Sequence, residues 1–400
     1  MSGALKGMRV LDLSAVVMAP LAARILGDMG ADVIKVESPE GDSVRKIGPM
    51  RNPGMGPMYL HVNRNKRSIA LDLKSADGKA ALHRLIKNAD VLLYNIRPQA
   101  MARLGLAYEA CRAINPGLIY VSACGFGESG PYAGRPAFDD LIQGLCAMPS
   151  LFARSSQSVP RYIPLSMVDR YMGQAVASAV LGAYVHKLNT GEGQQIEVPM
   201  FETMAECVLS DHSAGETFEP PLGPPGYPRY LALERHPYET RDGHICLAMY
   251  TDQHWKKFFE LIGSDLFDTD PRFNSLTSRT AHASSIHQFL EQQLRHRSTA
   301  EWLRAFEQAD IPSNRLHSLE SLSEDEHLQA VGFFDRSEHP SEGMLRTINP
   351  TARWSGTPLT VRRHAPRTGE HTQEVLRELG YDESVISAML AAGSAVEPRS

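Results

Sequence analysis

Hydrophobic and polar positions alternate between two rhythms over the first half of the chain. "MRVLDLS" (8–14) is a short apolar run of the kind a buried strand shows. "PLAARILGDMG" (20–30) follows with helical spacing, opened by Pro20 and closed by Gly30. "ADVIKVES" (31–38) reads as a second strand. "SADGKAALHRLIKNA" (75–89) reads as an amphipathic helix and "DVLLYNI" (90–96) as a third strand. A short helix is expected over 108–115 and a fourth strand at "LIYVSAC" (118–124). After Pro164 a long helix runs to Asn189 and Gly191, followed by the strand "QQIEVPM" and the helix "FETMAECVLSDHSAG". Strands that alternate with helices predict a doubly wound, mostly parallel α/β sheet.

The texture then changes. "EPPLGPPGYPRY" places five prolines between 220 and 228, which no regular element accommodates. This stretch reads as a linker or lid. Beyond it, "HPYETRDGHICLAMY" predicts a hairpin turning at Asp242-Gly243, with helices at about 251–262, 280–296 and 298–309. A second crossing rich in Pro and Gly runs from about 339 to 368, before two helical patches, "HTQEVLREL" and "ESVISAMLAAG". The expected organisation is a large domain over 1–218, a linker or lid at 219–235, a smaller α+β domain at 236–338, a linker at 339–368, and a C-terminal return to the large domain at 369–400.

Composition narrows the class. The chain has 400 residues, 42% hydrophobic and 22% charged, with a formal net charge of -5. That balance disfavours nucleic acid as a partner. No apolar run approaches the length of a membrane span, and the N-terminus lacks a signal-type apolar segment, so a cytoplasmic protein is expected. The five cysteines form no C-x-x-C pair and read as reduced, mostly buried thiols. His61, His212, His236 and His244 show no metal-ligand spacing, and no metal is expected.

One motif invites a cofactor. Gly125-Phe126-Gly127-Glu128-Ser129-Gly130 is literally G-x-G-x-x-G after a strand. A dinucleotide site requires its last glycine to open a helix toward the pyrophosphate. Here Gly134 and Pro136 break the next turn, and the motif follows the fourth strand rather than the first. An NAD-dependent oxidoreductase is therefore the weaker reading.

Three stretches, in order, carry a resemblance. They are "GMRVLDLSAVVMAPLAARILGDMGADVIKVESPEGD" (7–42), "NKRSIALDLKSADGKAAL" (65–82), and "GFGESGPYAGRPAFDDLIQG" (125–144) with Asp169 and Gly173 following. "GEHTQEVLRELG" (369–380) adds a fourth. Together they resemble the class III CoA-transferases, which include formyl-CoA transferase and carnitine CoA-transferase. The resemblance implies a doubly wound large domain built from both chain ends, a smaller inserted domain, and a homodimer of two chains interlocked as rings. It also implies acyl-CoA and a carboxylic acid as substrates, with no permanently bound cofactor and no membrane partner.

The resemblance assigns Asp169 as the nucleophile. On its residues alone, an Asp at a helix start is usually an N-cap; such a carboxylate is expected to stay ionised and could attack a thioester carbonyl. The implied route passes through a mixed anhydride and an aspartyl-CoA thioester, with succinyl-CoA as the default donor. Matching positions imply CoA contacts at Val16, Val17, Met18, Leu71, Asp72, Leu73, Lys74, Asn95, Ile96, Arg97, Arg103, Cys124, Gly125 and Phe126. By themselves, Lys74 and Arg103 read as solvated surface charges. Formyl-CoA transferases carry glutamine where Val17 stands, arginine where Ser38 stands, and a glycine run that this chain lacks, so formate and oxalate are poor substrate candidates. The α-methylacyl-CoA racemases share the fold but use a histidine where Phe138 stands. Phenylalanine carries no proton, which makes a racemase or isomerase the alternative rather than the first reading.

Overall fold

The computed structural model describes residues 3–398. Its centre is a seven-stranded sheet. Six strands are parallel: β1 (Arg9–Asp12), β2 (Asp32–Glu37), β3 (Lys66–Leu71), β4 (Val91–Tyr94), β5 (Ile119–Cys124) and β6 (Gln195–Pro199). They lie in the order β3-β2-β1-β4-β5-β6, and the short strand Ala395–Val396 adds antiparallel to the outer edge of β3. Strand order reverses between β1 and β4, whose register pairs Leu11 with Leu92. In a doubly wound sheet, ligands settle beyond the carboxyl ends of the strands at this reversal.

β1 to β5 are buried almost throughout, as expected for a parallel sheet covered on both faces. One face packs Leu11, Ile34, Ile69, Leu92 and Tyr120 against Leu82, Leu85 and Ile86 of the helix Ala76–Lys87 and against Leu376 and Ile386 of the C-terminal helices. The helix Met18–Asp28 lies against the long helix Met167–Thr190. Their approach is close: a Cβ on Gly173 would come within 2.8 Å of Leu21 Cδ2, so this position needs glycine.

β3 was not legible as a strand. "NKRS" looks like a solvated turn, yet Lys66, Arg67 and Ser68 are all buried. Each charge has a partner. Lys66 Nζ donates to Asp12 Oδ2 at 2.6 Å, Asn63 Oδ1 at 2.8 Å and the Pro20 carbonyl at 2.8 Å. Arg67 meets Asp32, Glu374 and Glu378. The strand is stable because buried charge is fully compensated.

The described residues form two compact units. One comprises 3–146, 164–205 and 327–398; the other comprises 147–163 and 206–326. The pattern of prolines places the divisions at 219 and 339, whereas the compact units divide inside the helix Met200–His212 and near the start of the helix Glu326–Ala330. Within the expected crossing 339–368, the first residues belong to an antiparallel hairpin, Phe334–His339 with Gly343–Ile348. The second unit is built on an aromatic core that includes Trp255, Phe258, Phe259, Phe273, Trp302 and Phe306. Its three-stranded sheet contains the expected hairpin, Tyr238–Glu239 with His244–Leu247, flanked by Ser313–Arg315. The proline-rich stretch is irregular until Pro228 opens a short helix to Leu231.

Replacing Lys66 by Met leaves Asp12 buried without its main partner. Unfolding by urea should show a loss of about 3–5 kcal/mol for the sheet-containing unit.

Candidate functional site

The site is built where the strand order reverses. Chain segments leaving β1, β4 and β5 converge there, and the first turn of the long helix closes the space. A cavity of about 390 Å³ lies between them, lined among others by Val16–Met18, Asn95–Arg97, Cys124–Phe126, Phe138 and Asp169. This is within the usual range for a small-molecule site.

Asp169 is the third residue of the helix Met167–Thr190. Its backbone N–H donates to Asp139 Oδ2 at 2.9 Å, and Gln143 Nε2 donates to Asp139 Oδ1 at 2.6 Å. Asp139 therefore caps the long helix from a neighbouring one, satisfying an amide that the helix itself leaves open. Ser166, at the N-cap position, makes no side-chain cap.

The same arrangement sets the acidity of Asp169. Burial, and then the negative charge of Asp139, push its carboxyl up to about 6, with Arg170 opposing. The sequence expectation considered only the helix terminus, which favours the charged form. Desolvation and a like charge act in the opposite direction. At neutral pH about nine-tenths of the carboxyl is still ionised. A partly desolvated carboxylate with a nearly neutral acidity suits a nucleophile.

The glycine motif has another function. Gly127 N–H donates to Glu202 Oε1 at 2.8 Å, and Glu128 N–H donates to Glu197 Oε1 at 2.8 Å. Carboxylates already occupy the amides that would face a pyrophosphate. Gly125 is required for contact instead: a Cβ there would lie 2.2 Å from that of Ala137. The motif folds the 134–138 segment tightly against the end of β5, and Phe126 meets Tyr132 edge-on. Asp139, the first residue of the helix Asp139–Leu145, follows directly. Sequence reasoning passed over Asp139, although the adjacent pair Asp139-Asp140 at the start of a helix was the available signal.

Of the residues expected to contact CoA, Val16, Val17, Met18, Asn95, Ile96, Arg97, Cys124, Gly125 and Phe126 line one cavity with Asp169. Leu71, Asp72, Leu73, Lys74 and Arg103 do not line it. β3 stands two strands away from β1, and the Leu71 side chain is buried in the sheet core. Asp72 closes its own turn, accepting the Lys74 N–H at 3.0 Å. Lys74 and Arg103 are exposed, and Arg97 is exposed at the cavity rim. The Cys124 thiol is pushed up to about 12 by burial and by the nearby glutamates, chiefly Glu197, which makes it a poor nucleophile. Phe138 is 65% exposed at the cavity edge. Among the described residues, no group of three His, Cys, Asp or Glu could hold a metal ion, and no helix is long and apolar enough to cross a membrane.

Gly125→Ala should displace the 134–138 segment. A loss of about 1–3 kcal/mol in stability is expected for such overpacking, together with weakened binding of any ligand of this cavity, measurable by calorimetry.

Comparison with known proteins places this geometry. Residues 5–372 match the protein-family profile described as CoA-transferase family III. The chain is 32% identical over 389 residues to the succinate–glutarate CoA-transferase of Agrobacterium fabrum, covering 94% of this chain and 95% of that one. It is 32% identical over 403 residues to the (R)-2-hydroxy-4-methylpentanoate CoA-transferase of Clostridioides difficile, covering 96% and 97%. The crystal structure of Rv3272 from M. tuberculosis superposes with a TM-score of 0.79 at 28% identity, covering 93% of this chain and 99% of that one. With the parallel sheet and a cavity at its strand-order reversal, the family match over most of the chain establishes that this protein belongs to CoA-transferase family III and is a class III CoA-transferase.

Proposed function

We propose that the protein moves CoA from a donor acyl-CoA to a carboxylic acid, with Asp169 as the covalent carrier. The observation that carries this reading is the placement of Asp169: a half-buried carboxyl with an acidity near 6, opening into the cavity at the sheet's switch point. Asp169 attacks the donor thioester carbonyl, giving a mixed anhydride and CoA thiolate. The thiolate attacks the aspartyl carbonyl, which releases the donor acid and leaves an aspartyl-CoA thioester. The acceptor carboxylate attacks that thioester, forming a second anhydride and freeing the thiolate again. The thiolate then takes the acceptor acyl group and regenerates Asp169. Each bond formed replaces one of similar energy, so no metal or redox step is required. The route requires that water be kept from the anhydride and thioester intermediates, which would otherwise hydrolyse.

CoA enters with its thiol end in the cavity and its phosphates outside, where Arg97, Lys74 and Arg103 are exposed cations. The cavity wall of Val16, Val17 and Met18 is apolar, and the protein's relatives, named for succinate, glutarate and a branched hydroxy acid, make succinyl-CoA the first donor to try. Phe138 stands at the cavity edge where a proton-transfer histidine would be needed, which leaves racemase chemistry without its second base.

The working unit is proposed to be a homodimer of interlocked chains. In support, Tyr171, Gln174, Ser178, Gly182 and Val185 on the outer side of the long helix are exposed and uncharged. Leu141 and Leu145 on the helix Asp139–Leu145 are exposed as well. Gly182→Arg should therefore convert a dimer to monomers or to unassembled chain in light scattering. A wild type that is already monomeric defeats the dimer proposal.

Mass spectrometry after incubation with succinyl-CoA and a panel of other acyl-CoAs tests the mechanism. An acyl or CoA adduct is expected on the peptide bearing Asp169. Asp169→Ala should lose the adduct and at least about a thousandfold in transfer rate, while CoA binding survives. Protonation removes the nucleophile, so the rate of adduct formation should fall as pH drops through about 6. An unchanged rate in Asp169→Ala would falsify the assignment, and deuterium appearing at the substrate α-carbon without any adduct would favour the racemase.

A further inference from the structure

We infer that Asp42 is a positioning residue for the cavity, acting from outside it through the backbone of Val16. The inference concerns the cavity proposed above as the acyl-CoA site, and its central measurement does not depend on that reading.

Val16 lines the cavity with a backbone φ of 70°. A β-branched residue in the left-handed region is strained, and such strain persists only where surrounding groups enforce it. Here three consecutive residues are held by buried or partly buried side chains. Ser14 N–H donates to Asp12 Oδ1 at 3.0 Å, and its carbonyl accepts from Lys35 Nζ at 2.8 Å. Ala15 N–H donates to Asn95 Oδ1 at 2.9 Å, and its carbonyl accepts from Asn95 Nδ2 at 2.8 Å. Val16 N–H donates to Asp42 Oδ1 at 3.1 Å.

Asp42 is not part of the cavity lining. It is 5% exposed and held by several neighbours. Its Oδ1 also accepts the Val44 N–H at 3.1 Å, Lys35 Nζ lies 3.1 Å from its Oδ2, and its own N–H donates to Glu37 Oε1 at 3.0 Å. A rigid acceptor on the loop after β2 thus dictates the conformation of the loop after β1. Without it, Val16 has no reason to remain in the left-handed region, and the wall formed by Val16, Val17 and Met18 relaxes. Val17 is also the N-cap residue of the helix that follows, so a shift at Val16 carries into that helix.

The test uses the full-length protein. Amide exchange at Val16 is followed by NMR, and the affinity for CoA by calorimetry, in wild type, Asp42→Ala, Val16→Gly and the double variant. Asp42→Ala should speed Val16 exchange at least about tenfold while the β1 amides of Val10 and Leu11 keep their protection. CoA affinity should fall about tenfold in Asp42→Ala, and the double variant should bind no more weakly than Asp42→Ala alone, because both substitutions release one constraint. Unchanged protection at Val16 in Asp42→Ala overturns the proposal, as do losses of affinity that simply multiply. If Asp42→Ala does not fold, Asp42→Asn keeps the acceptor and removes the charge. Val16 should then stay protected and CoA affinity remain within about threefold of wild type; a larger loss with Val16 still protected sinks the idea. A wild type that binds no CoA defeats the acyl-CoA reading and leaves the exchange measurement as the test of Asp42.

Discussion

The structure depends on buried charge neutralised in place. Asp12, Lys35, Asp42 and Lys66 are each buried within or beside the central strands β1, β2 and β3. Moving such groups out of water is costly, and the cost is recovered only when every charge meets a partner of opposite sign and its remaining polar atoms are hydrogen-bonded. Lys66 shows the tension. Burial, offset in part by Asp12, holds its ammonium down to about 8. Geometry that must be exact to be stable is also geometry that does not drift. The network fixes β3 beside β2, and through Ser14 and Val16 it fixes the loop that forms one wall of the cavity.

The opposite wall uses the same principle with less compensation. Asp139 and Asp169 are two carboxylates joined through a backbone amide, and Arg170 offsets their repulsion only partly. Full neutralisation would leave Asp169 strongly acidic and weakly nucleophilic. Burial, together with the incompletely offset charge of Asp139, leaves its carboxyl near 6. The large unit therefore pairs charges completely where it needs rigidity and incompletely at the proposed nucleophile. The glycine segment between these regions contributes shape. Glu197 and Glu202 occupy its amides, and its lack of side chains admits Ala137.

Much of this was legible along the chain. The alternation of strands and helices gives the doubly wound class, because a strand buried on both faces must be apolar and a helix covering it must be amphipathic. The resemblance of three blocks pointed to the family that the full-length comparison then showed, and it singled out Asp169 and the Val16–Met18, Asn95–Arg97 and Cys124–Phe126 segments, which line one cavity. β3 was missed because local polarity predicts solvent, and Lys66 and Arg67 find partners far away in sequence, at Asp12 and at Glu374 and Glu378. The expected divisions at 219 and 339 differ from the limits of the compact units because proline marks where regular structure stops, whereas a compact unit ends where contacts stop.

The sequence by itself determined the layer architecture, which follows from periodicity, and, through the resemblance of its blocks to a known family, the family and the candidate nucleophile. Only the tertiary structure decided how that carboxyl is tuned, what occupies the glycine motif's amides, and what holds Val16 in its strained conformation. The reason is physical. Periodicity is a property of neighbours in the chain, but desolvation, like-charge repulsion and enforced strain depend on groups that folding brings together from distant positions: Asp139 to Asp169, Glu202 to Gly127, and Asp42 to Val16.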